Sequence, residues 1–149
     1  MTKFWAKKTG NWWLSNFYPA EIIYNGKPYP TSEHLYQALK CDNKKHHEEV
    51  RNAAGPKASK VLSRVLSPEL KPLKDRINFM RTAIGLKYGQ HEELKERLLE
   101  LRGIIVEDSP YDDLWGVGPD GDGVNLMGIL LMELREKYIS EFSFENIFT

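Results

Sequence analysis

The decisive stretch of this sequence is Thr31-Ser32-Glu33-His34-Leu35-Tyr36-Gln37-Ala38-Leu39-Lys40. It predicts the start of a helix, because the proline before it cannot extend a helix backwards and Thr31 or Ser32 can cap the free N–H groups. One face of this helix carries four polar side chains of different chemistry: Glu33, Tyr36, Gln37 and Lys40. The plain interpretation is an amphipathic helix with a solvated polar face, and the alternative is a polar face that lines a site.

A β-hairpin is predicted just before this helix. Two short segments, 21–24 and 27–29, flank Asn25-Gly26, and this pair is the strongest short hairpin signal because both residues tolerate positive φ. Pro28 cannot donate a ladder hydrogen bond, so we expect the second arm to be short or to lie at an edge.

The rest of the chain is mostly helical in its pattern. Apolar spacing and helix boundaries predict helices at 44–54, 57–66, 73–88, 92–101 and 125–138. Residues 3–6 and 103–107 read as short strands, a polar loop covers 108–123, and the aromatic tail 140–149 is expected to pack back on the body. Two or three strands with five or six helices predict an α+β fold that is mostly helical, with a small sheet.

Composition narrows the class of protein. The 149 residues suit a single domain, 1–149, and 21 basic residues balance 21 acidic ones. A neutral chain has no global field that attracts nucleic acid or anionic membranes, so any phosphate binding must come from a local pocket. The single Cys41 fits a reducing compartment. The N-terminus has no signal-peptide core and no apolar run approaches the roughly 18 residues of a membrane span, so we expect a cytoplasmic protein.

An aromatic segment, Trp12-Trp13-Leu14-Ser15-Asn16-Phe17-Tyr18-Pro19, precedes the hairpin. Its rings can supply core or a stacking platform for a planar base. Asn16 lies between apolar neighbours. If it is buried it needs hydrogen-bond partners, which allows either a turn-forming or a ligand-binding role.

The polar residues of the decisive helix also have two interpretations each. Glu33 is either a capping charge stabilised by the helix dipole, or a general acid, base or electrostatic stabiliser. Lys40 is either solvated, or buried with a depressed pKa and able to act as a nucleophile or base. His34 lies off the Glu33 face, and a structural role is expected for it.

The loop before the last helix is rich in glycine. Its four glycines between 116 and 123 would let backbone approach a ligand closely, and the helix N-terminus at Asn125 favours an anion such as phosphate. Trp115 could stack on a base or ribose, while the plain alternative is a flexible acidic loop. Gly128 inside the helix indicates a packing or access reason.

Three motif-like patterns are rejected. The glycine spacing at 116–121 lacks the βαβ context of a dinucleotide site. Val124 occupies a position where a calcium loop needs an oxygen ligand, and His46-His47-Glu48-Glu49 lacks the zinc spacing HExxH. We therefore expect neither a metal nor a cofactor.

Three sets of motifs carry a family resemblance. They are Leu14-Ser15-Asn16-Phe17-Tyr18-Pro19; Tyr29-Pro30-Thr31-Ser32-Glu33-His34-x-Tyr36-Gln37-Ala38-x-Lys40; and Ser109-Pro110-x-Asp112-x-x-Trp115-Gly116-x-Gly118 with Asn125, Gly128 and Arg135 beyond it. Together they resemble the NADAR family, also called YbiA-like N-glycosidases, in the expected order across nearly the whole chain. A weaker middle motif is matched by Met80, Ala83 and Lys87-Tyr88.

The resemblance implies a hydrolase that breaks the N-glycosidic bond between a ribose C1′ and an amine or base. It implies a phosphorylated ribosyl intermediate of riboflavin synthesis, or ADP-ribose on a guanine base, free or attached to nucleic acid. Glu33 and Asp112 are the implied catalytic acids, and Lys40 is the implied amine. The implied substrate-binding residues are Asn16, Phe17, Tyr36, Gln37, Trp115, Gly116, Gly118 and Asn125.

Two mechanisms stay open at this stage. A carboxylate can stabilise the oxocarbenium-like state while a second carboxyl group protonates the leaving nitrogen or activates water. Alternatively, the ribose ring opens and Lys40 forms a Schiff base at C1′. A rival function is a non-catalytic sensor that binds ADP-ribose or NAD in the same cleft. The sequence does not predict an oligomeric state.

Overall fold

A computed structural model describes residues 1–7 and 10–148, without the side chain of Phe148. The chain divides into two compact units. The central unit is Asn16–Glu92, and the terminal unit combines Met1–Ser15 with Glu93–Thr149. Each unit is described by itself, and the assignment of 1–149 to one domain stays a prediction.

The central unit begins with the predicted hairpin. Strand β2, Ile22–Tyr24, pairs antiparallel with β3, Lys27–Tyr29. The turn residues Asn25 and Gly26 have φ values of 49° and 75°, the positive values that a tight hairpin turn requires. The hairpin prediction and the short second arm are therefore confirmed.

Four helices complete the central unit. They are α1 (Ser32–Leu39), α2 (Lys44–Arg51), α3 (Pro56–Leu66) and α4 (Leu73–Gln90). Thr31 caps α1, because its hydroxyl oxygen accepts the His34 backbone N–H at 3.1 Å. Helices α2, α3 and α4 all pack against α1, which makes this short helix the centre of the unit.

The terminal unit pairs two strands from opposite ends of the chain. Strand β1, Thr2–Phe4, lies parallel to β4, Ile105–Glu107. A 3-10 helix at Trp12–Leu14, helix α5 (Glu92–Glu100) and helix α6 (Leu126–Phe148) accompany them. The Arg135 guanidinium on α6 donates to the carbonyl oxygens of Leu101 and Gly103, at 3.2 and 2.8 Å, and so ties α6 to the end of α5.

Helix α6 runs about ten residues further than the sequence pattern predicts. No glycine or proline follows Tyr138 to end it. The expectation that the tail packs back on the body is wrong for the side chains described there. Phe142, Phe144 and Ile147 are 62%, 63% and 75% exposed.

The α+β, mostly helical fold is confirmed. The described residues form six α-helices and four short strands in two separate pairs, one strand more than expected. None of the helices in the described ranges is both long enough and apolar enough to cross a membrane.

Candidate active site

Helix α1 is buried on all of its faces. Every residue from Ser32 to Ala38 is buried, including the four polar residues Ser32, Glu33, His34 and Gln37. The solvated-face interpretation is wrong, because α2, α3 and α4 surround this helix. Burying polar groups in this number is costly unless each one is hydrogen-bonded or has a function.

Glu33 lies at the centre of the buried polar groups and is 7% exposed. Its backbone N–H donates to the Asn16 carbonyl oxygen at 3.1 Å, and its carboxylate Oε1 accepts from Gln37 Nε2 at 2.7 Å. Burial raises the pKa of the carboxyl group. The Gln37 hydrogen bond, followed by the positive charges of Lys60, Lys40 and Arg64, acts in the opposite direction. Burial outweighs these opposing effects, so the pKa of Glu33 is raised above its ordinary 4.5.

Gln37 leaves one hydrogen-bonding group unused. It lies one turn after Glu33 and donates through Nε2. Its carbonyl oxygen Oε1 is buried, and no donor reaches it within the described part of the chain. A buried acceptor without a donor costs roughly 1–3 kcal/mol. A hydroxyl group of a bound ribose would supply that donor.

Lys40 follows the last turn of α1 and is half-buried. Its Nζ lies 5.0 Å from the centroid of the Tyr36 ring. Burial lowers the pKa of the Lys40 amine; Glu33 raises it, and the positive charges of Arg64 and Arg76 lower it further. A lowered pKa increases the fraction of neutral amine, which is the form that can attack carbon.

Asn16 is buried and holds the start of α1. Its Oδ1 accepts from the Ser32 hydroxyl at 2.8 Å, and its Nδ2 contacts Met80 Sδ at 3.2 Å. These bonds join the segment before the hairpin to α1 and α4. The neighbouring Phe17 is half-buried. The turn-forming role of Asn16 thus has direct support, and substrate contact by Asn16 and Phe17 stays a prediction.

His34 has the structural role expected for it. Its two ring nitrogens lie 2.8 Å from Thr31 Oγ1 and 3.0 Å from the Ala53 carbonyl oxygen. The Ala53 oxygen can only accept, so Nε2 carries the proton and Nδ1 accepts from Thr31. Burial lowers the pKa of the ring, which fits this neutral form.

In the terminal unit, Asp112 shapes the loop that contains it. Its Oδ1 accepts two backbone hydrogen bonds, from Leu114 at 2.9 Å and from Trp115 at 2.8 Å. This is the geometry of an Asx turn, which stabilises the loop without any ligand. A catalytic role for Asp112 stays a prediction from the family resemblance.

The side chain of Asn125 ties the end of the same loop to strand β4. Its Oδ1 accepts from the Glu107 backbone N–H and its Nδ2 donates to the Ile105 carbonyl oxygen, both at 2.9 Å. Its φ of 57° suits asparagine better than most residues. A substrate contact through this side chain stays a prediction, but the described bonds already use both of its polar atoms.

The helix N-terminus after this loop does not offer the predicted phosphate donors. The backbone N–H groups of Asn125, Leu126 and Met127 donate to carbonyl oxygens of the loop, those of Gly116, Leu114 and Trp115, at 2.9–3.0 Å. The expectation that these groups bind phosphate is wrong, because the loop folds over the helix end and takes up the donors itself.

The glycines of the loop serve close packing of backbone on backbone. A Cβ on Gly116 would lie 2.8 Å from the Glu107 carbonyl oxygen, and Gly118 has a positive φ of 71°. A Cβ on Gly128 would lie 2.1 Å from the Ile105 carbonyl oxygen, so the packing reason expected for Gly128 is confirmed. Ligand contact by Gly116 and Gly118 stays a prediction.

The aromatic residues divide between core and surface. Trp13 is buried, with the Arg97 guanidinium 4.4 Å from its ring centroid, which supports the core interpretation. Trp115 is half-buried. Stacking of Trp115 on a substrate remains a prediction.

Sequence reasoning missed the burial of Lys87 on α4. This lysine is 0% exposed, and its Nζ lies 5.6 and 5.2 Å from the ring centroids of Tyr18 and Tyr88. Burial lowers the pKa of its amine to about 7. The signal was present, since Lys87 continues the buried helical spacing of Met80, Ala83 and Ile84.

The structure groups the predicted site residues within each unit. The central unit brings together five of them around α1: Asn16, Glu33, Tyr36, Gln37 and Lys40. The terminal unit brings together another five in one loop: Asp112, Trp115, Gly116, Gly118 and Asn125. Among residues 1–7 and 10–148, no three His, Cys, Asp or Glu side chains are arranged as a metal site.

Comparison with known proteins agrees with this fold. The sequence matches the NADAR domain family over residues 3–138. The chain belongs to the NADAR domain family.

Its similar proteins are named by activity or by pathway. The chain is 39% identical to N-glycosidase YbiA of Escherichia coli K12 over 133 residues, covering 86% of this chain and 82% of that protein. It is 34% identical to riboflavin biosynthesis protein VVA0006 of Vibrio vulnificus, covering 90% of this chain and 37% of that protein. The NMR structure of E. coli YbiA superimposes with a TM-score of 0.82 at 35% identity, covering 95% of this chain and 88% of that chain.

Proposed function

We propose that this chain, an N-glycosidase of the NADAR family, hydrolyses the bond between a ribose C1′ and an amine or base in a phosphoribosyl or ADP-ribosyl substrate. One observation carries the proposal most directly. Helix α1 and the residue that follows it bring together a carboxyl group, an amide oxygen that no described donor reaches and a half-buried amine, at Glu33, Gln37 and Lys40. These groups match a ribose, which presents hydroxyl donors and a carbon that becomes positive as the bond breaks.

Glu33 is the group proposed to stabilise the reacting carbon. Breaking the C1′–N bond leaves its electron pair on nitrogen and positive charge on the ribose. A buried carboxylate beside that charge acts in a low dielectric, where its stabilisation is strong. Gln37 orients the carboxylate through the 2.7 Å hydrogen bond and keeps its own Oε1 for a ribose hydroxyl.

Lys40 and Asp112 have separate proposed roles. On the alternative path through a ring-opened ribose, the lowered pKa of the Lys40 amine supports its addition to C1′; the original amine then leaves, and water hydrolyses the resulting Schiff base and frees Lys40. Reduction with borohydride during turnover, followed by peptide mass spectrometry, is expected to trap an adduct on Lys40. An enzyme that turns over without any adduct would instead leave direct attack by water. Asp112 is proposed as the second carboxyl group on the strength of the family resemblance.

The substrate is tested by a panel. The riboflavin biosynthesis names of the Vibrio vulnificus and maize relatives support a phosphoribosylamino-pyrimidine. The panel contains that compound, ADP-ribosylated guanosine and the same adduct in an oligonucleotide, with product chromatography as the readout. Release of a free base or amine from one member is the expected result. Binding of ADP-ribose by calorimetry without turnover of any member would favour a sensor and contradict the proposal.

A further inference from the structure

Helix α3 lies along α1 through a seam of small residues. Ser59 and Ser63 are fully buried, and the Ser63 hydroxyl donates to the backbone carbonyl oxygen of Gln37 at 3.3 Å. Just beyond the helix, the Ser67 hydroxyl donates to the Lys40 carbonyl oxygen, also at 3.3 Å. Helix α3 therefore follows α1 over the turn that joins Gln37 to Lys40.

Two cationic residues border this seam. Lys60 directly follows Ser59 and Arg64 directly follows Ser63, so the two basic side chains lie one turn apart on the same side of α3. Lys60 is half-buried and Arg64 is exposed. Both positive charges act on the Glu33 carboxyl group, which agrees with their position beside α1.

The cations around Glu33 and Lys40 outnumber the anions. Arg64 and Arg76 both act on the Lys40 amine, and the Nε of Arg76 donates to the Lys71 carbonyl oxygen at 3.0 Å. Lys27 and Arg51 form ion pairs with Glu48, and Lys71 forms one with Asp42. Lys40, Lys60, Arg64 and Arg76 take part in none of them.

Such a cluster is unusual in a chain with no net charge. Since 21 basic and 21 acidic residues balance overall, the three cations that act on the buried Glu33 carboxyl group are a local excess, and Arg76 adds a further positive charge near Lys40. Like charges at short range repel, and a bound anion would remove the repulsion. Arginine and lysine together suit phosphate, because a guanidinium can bind two of its oxygens and an ammonium adds a point charge.

We infer that Lys60 and Arg64, together with Arg76, form the subsite for the phosphate group of the substrate. The inference rests on the proposed function, in which the ribose lies against Glu33 and Gln37. The subsite would also replace the backbone N–H groups at the start of α6 as phosphate donors, because those groups already donate to loop carbonyl oxygens. The shared chemistry is a phosphate on a ribose, either the monoester of a phosphoribosyl compound or the diphosphate of an ADP-ribosyl compound.

The first experiment measures binding without turnover. Ribose 5-phosphate, ADP-ribose and unphosphorylated ribose are titrated calorimetrically into the wild type and into the double variant Lys60→Ala/Arg64→Ala. We expect the phosphorylated ligands to bind at least about tenfold more weakly to the variant, as for the loss of one charge-assisted hydrogen bond, and ribose to be unaffected. The ligand that loses more affinity identifies the monoester or the diphosphate as the preferred group.

The matched control removes the same charge elsewhere. Lys44 and Lys45 are exposed on the neighbouring helix α2, so Lys44→Ala/Lys45→Ala should leave binding of both phosphorylated ligands unchanged. An equal loss of affinity in both double variants would show that the effect comes from net charge alone, and this result would overturn the inference. So would phosphate-dependent binding that is undiminished in Lys60→Ala/Arg64→Ala.

The second experiment separates the subsite from the reaction. With an active member of the substrate panel, the Lys60→Ala/Arg64→Ala variant should have a raised KM for the phosphorylated substrate. The dephosphorylated form of the same substrate is the control, because any effect of the two charges on Glu33 changes the kinetics of both forms. If no panel member is turned over but phosphate-dependent binding still disappears in the variant, the proposed function fails and the subsite stands. Equal changes in KM for both substrate forms would overturn the subsite while the activity stands.

Discussion

Helix α1 and the loop before α6 contain the two densest groups of family-motif residues, yet their polar groups are used differently. In α1, Glu33 has a carboxyl group with a raised pKa and Gln37 has a buried oxygen that no described donor reaches. In the loop, Asp112 and Asn125 bond to backbone groups of the loop and of β4. The difference separates the motif residues that are proposed to serve the chemistry from those that hold the shape of the loop.

The largest expected effect is on the stability of the protein and comes from the buried amine of Lys87 in the central unit. The pKa of Lys87 falls from an ordinary 10.5 to about 7 in the folded protein, which corresponds to roughly 5 kcal/mol at 1.36 kcal/mol per pKa unit. Because the folded pKa is depressed, the wild type should lose stability as the pH falls from 10.5 to about 7 and should stay level below that. Lys87→Met should lack this dependence.

Chemical denaturation across that pH range measures the difference between the two proteins. Lys74→Met is the control, since Lys74 is exposed on the same helix and its removal should leave the pH dependence intact. Parallel curves for the wild type and Lys87→Met would contradict the assignment of a titrating buried amine to the central unit.

The next effect is on turnover. Glu33→Gln keeps the size of the side chain but removes its charge, so kcat should fall at least about 100-fold, at the lower end for a lost catalytic carboxyl group. In the wild type, kcat/KM should rise with pH through the raised pKa of Glu33 in the free enzyme, above its ordinary 4.5, and the variant should lack this rise. The exposed Glu69→Gln is the control. Near-normal turnover by a folded Glu33→Gln variant would contradict the proposed catalytic role of Glu33.

Asn125 tests the other side of the comparison. Asn125→Gly removes both side-chain hydrogen bonds while tolerating the φ of 57°, so it should lower the free energy of unfolding by about 2 kcal/mol. Thermal melting measures this loss, and KM below the melting range should be unchanged. A raised KM with unaltered stability would instead place Asn125 among the residues that bind substrate.

Asp112 gives the smallest expected change in stability, and it separates shape from chemistry. Asp112→Ala loses the two bonds to the backbone and should cost about 1 kcal/mol, like a lost helix cap. Asp112→Asn keeps the accepting Oδ1 and should recover that stability without recovering turnover. Full activity of the asparagine variant would assign Asp112 to the loop alone.

Local patterns predicted the elements well. The Asn25-Gly26 turn, the cap at Thr31 and the apolar spacing of α4 each follow from short-range chemistry, and all three form as expected. The prediction for the tail beyond Tyr138 is wrong, because aromatic residues do not by themselves indicate burial. Exposed apolar side chains are common on folded proteins, whereas a helix without a breaker continues.

The grouping of polar residues along α1 was predictable from the sequence, but their burial was not. Glu33, Gln37 and Lys40 were found together on one helix face, and family resemblance supplied Asp112 and Asn125. Burial was not predictable, since it depends on α2, α3 and α4 packing around α1 from distant positions. The phosphate donors expected at Asn125 were wrong for the same reason, because loop carbonyls take up those N–H groups.

The sequence by itself determined the order of the helices and strands, the family, and the helix on which the proposed reactive groups lie, because these depend on neighbours within a few residues. Only the tertiary structure decided which polar groups are surrounded by protein and which are already hydrogen-bonded. Those properties set the pKa of Glu33 and of Lys40 and leave Gln37 Oε1 without a described donor. Desolvation depends on every element packed against a group, and segments far apart in the sequence supply those elements.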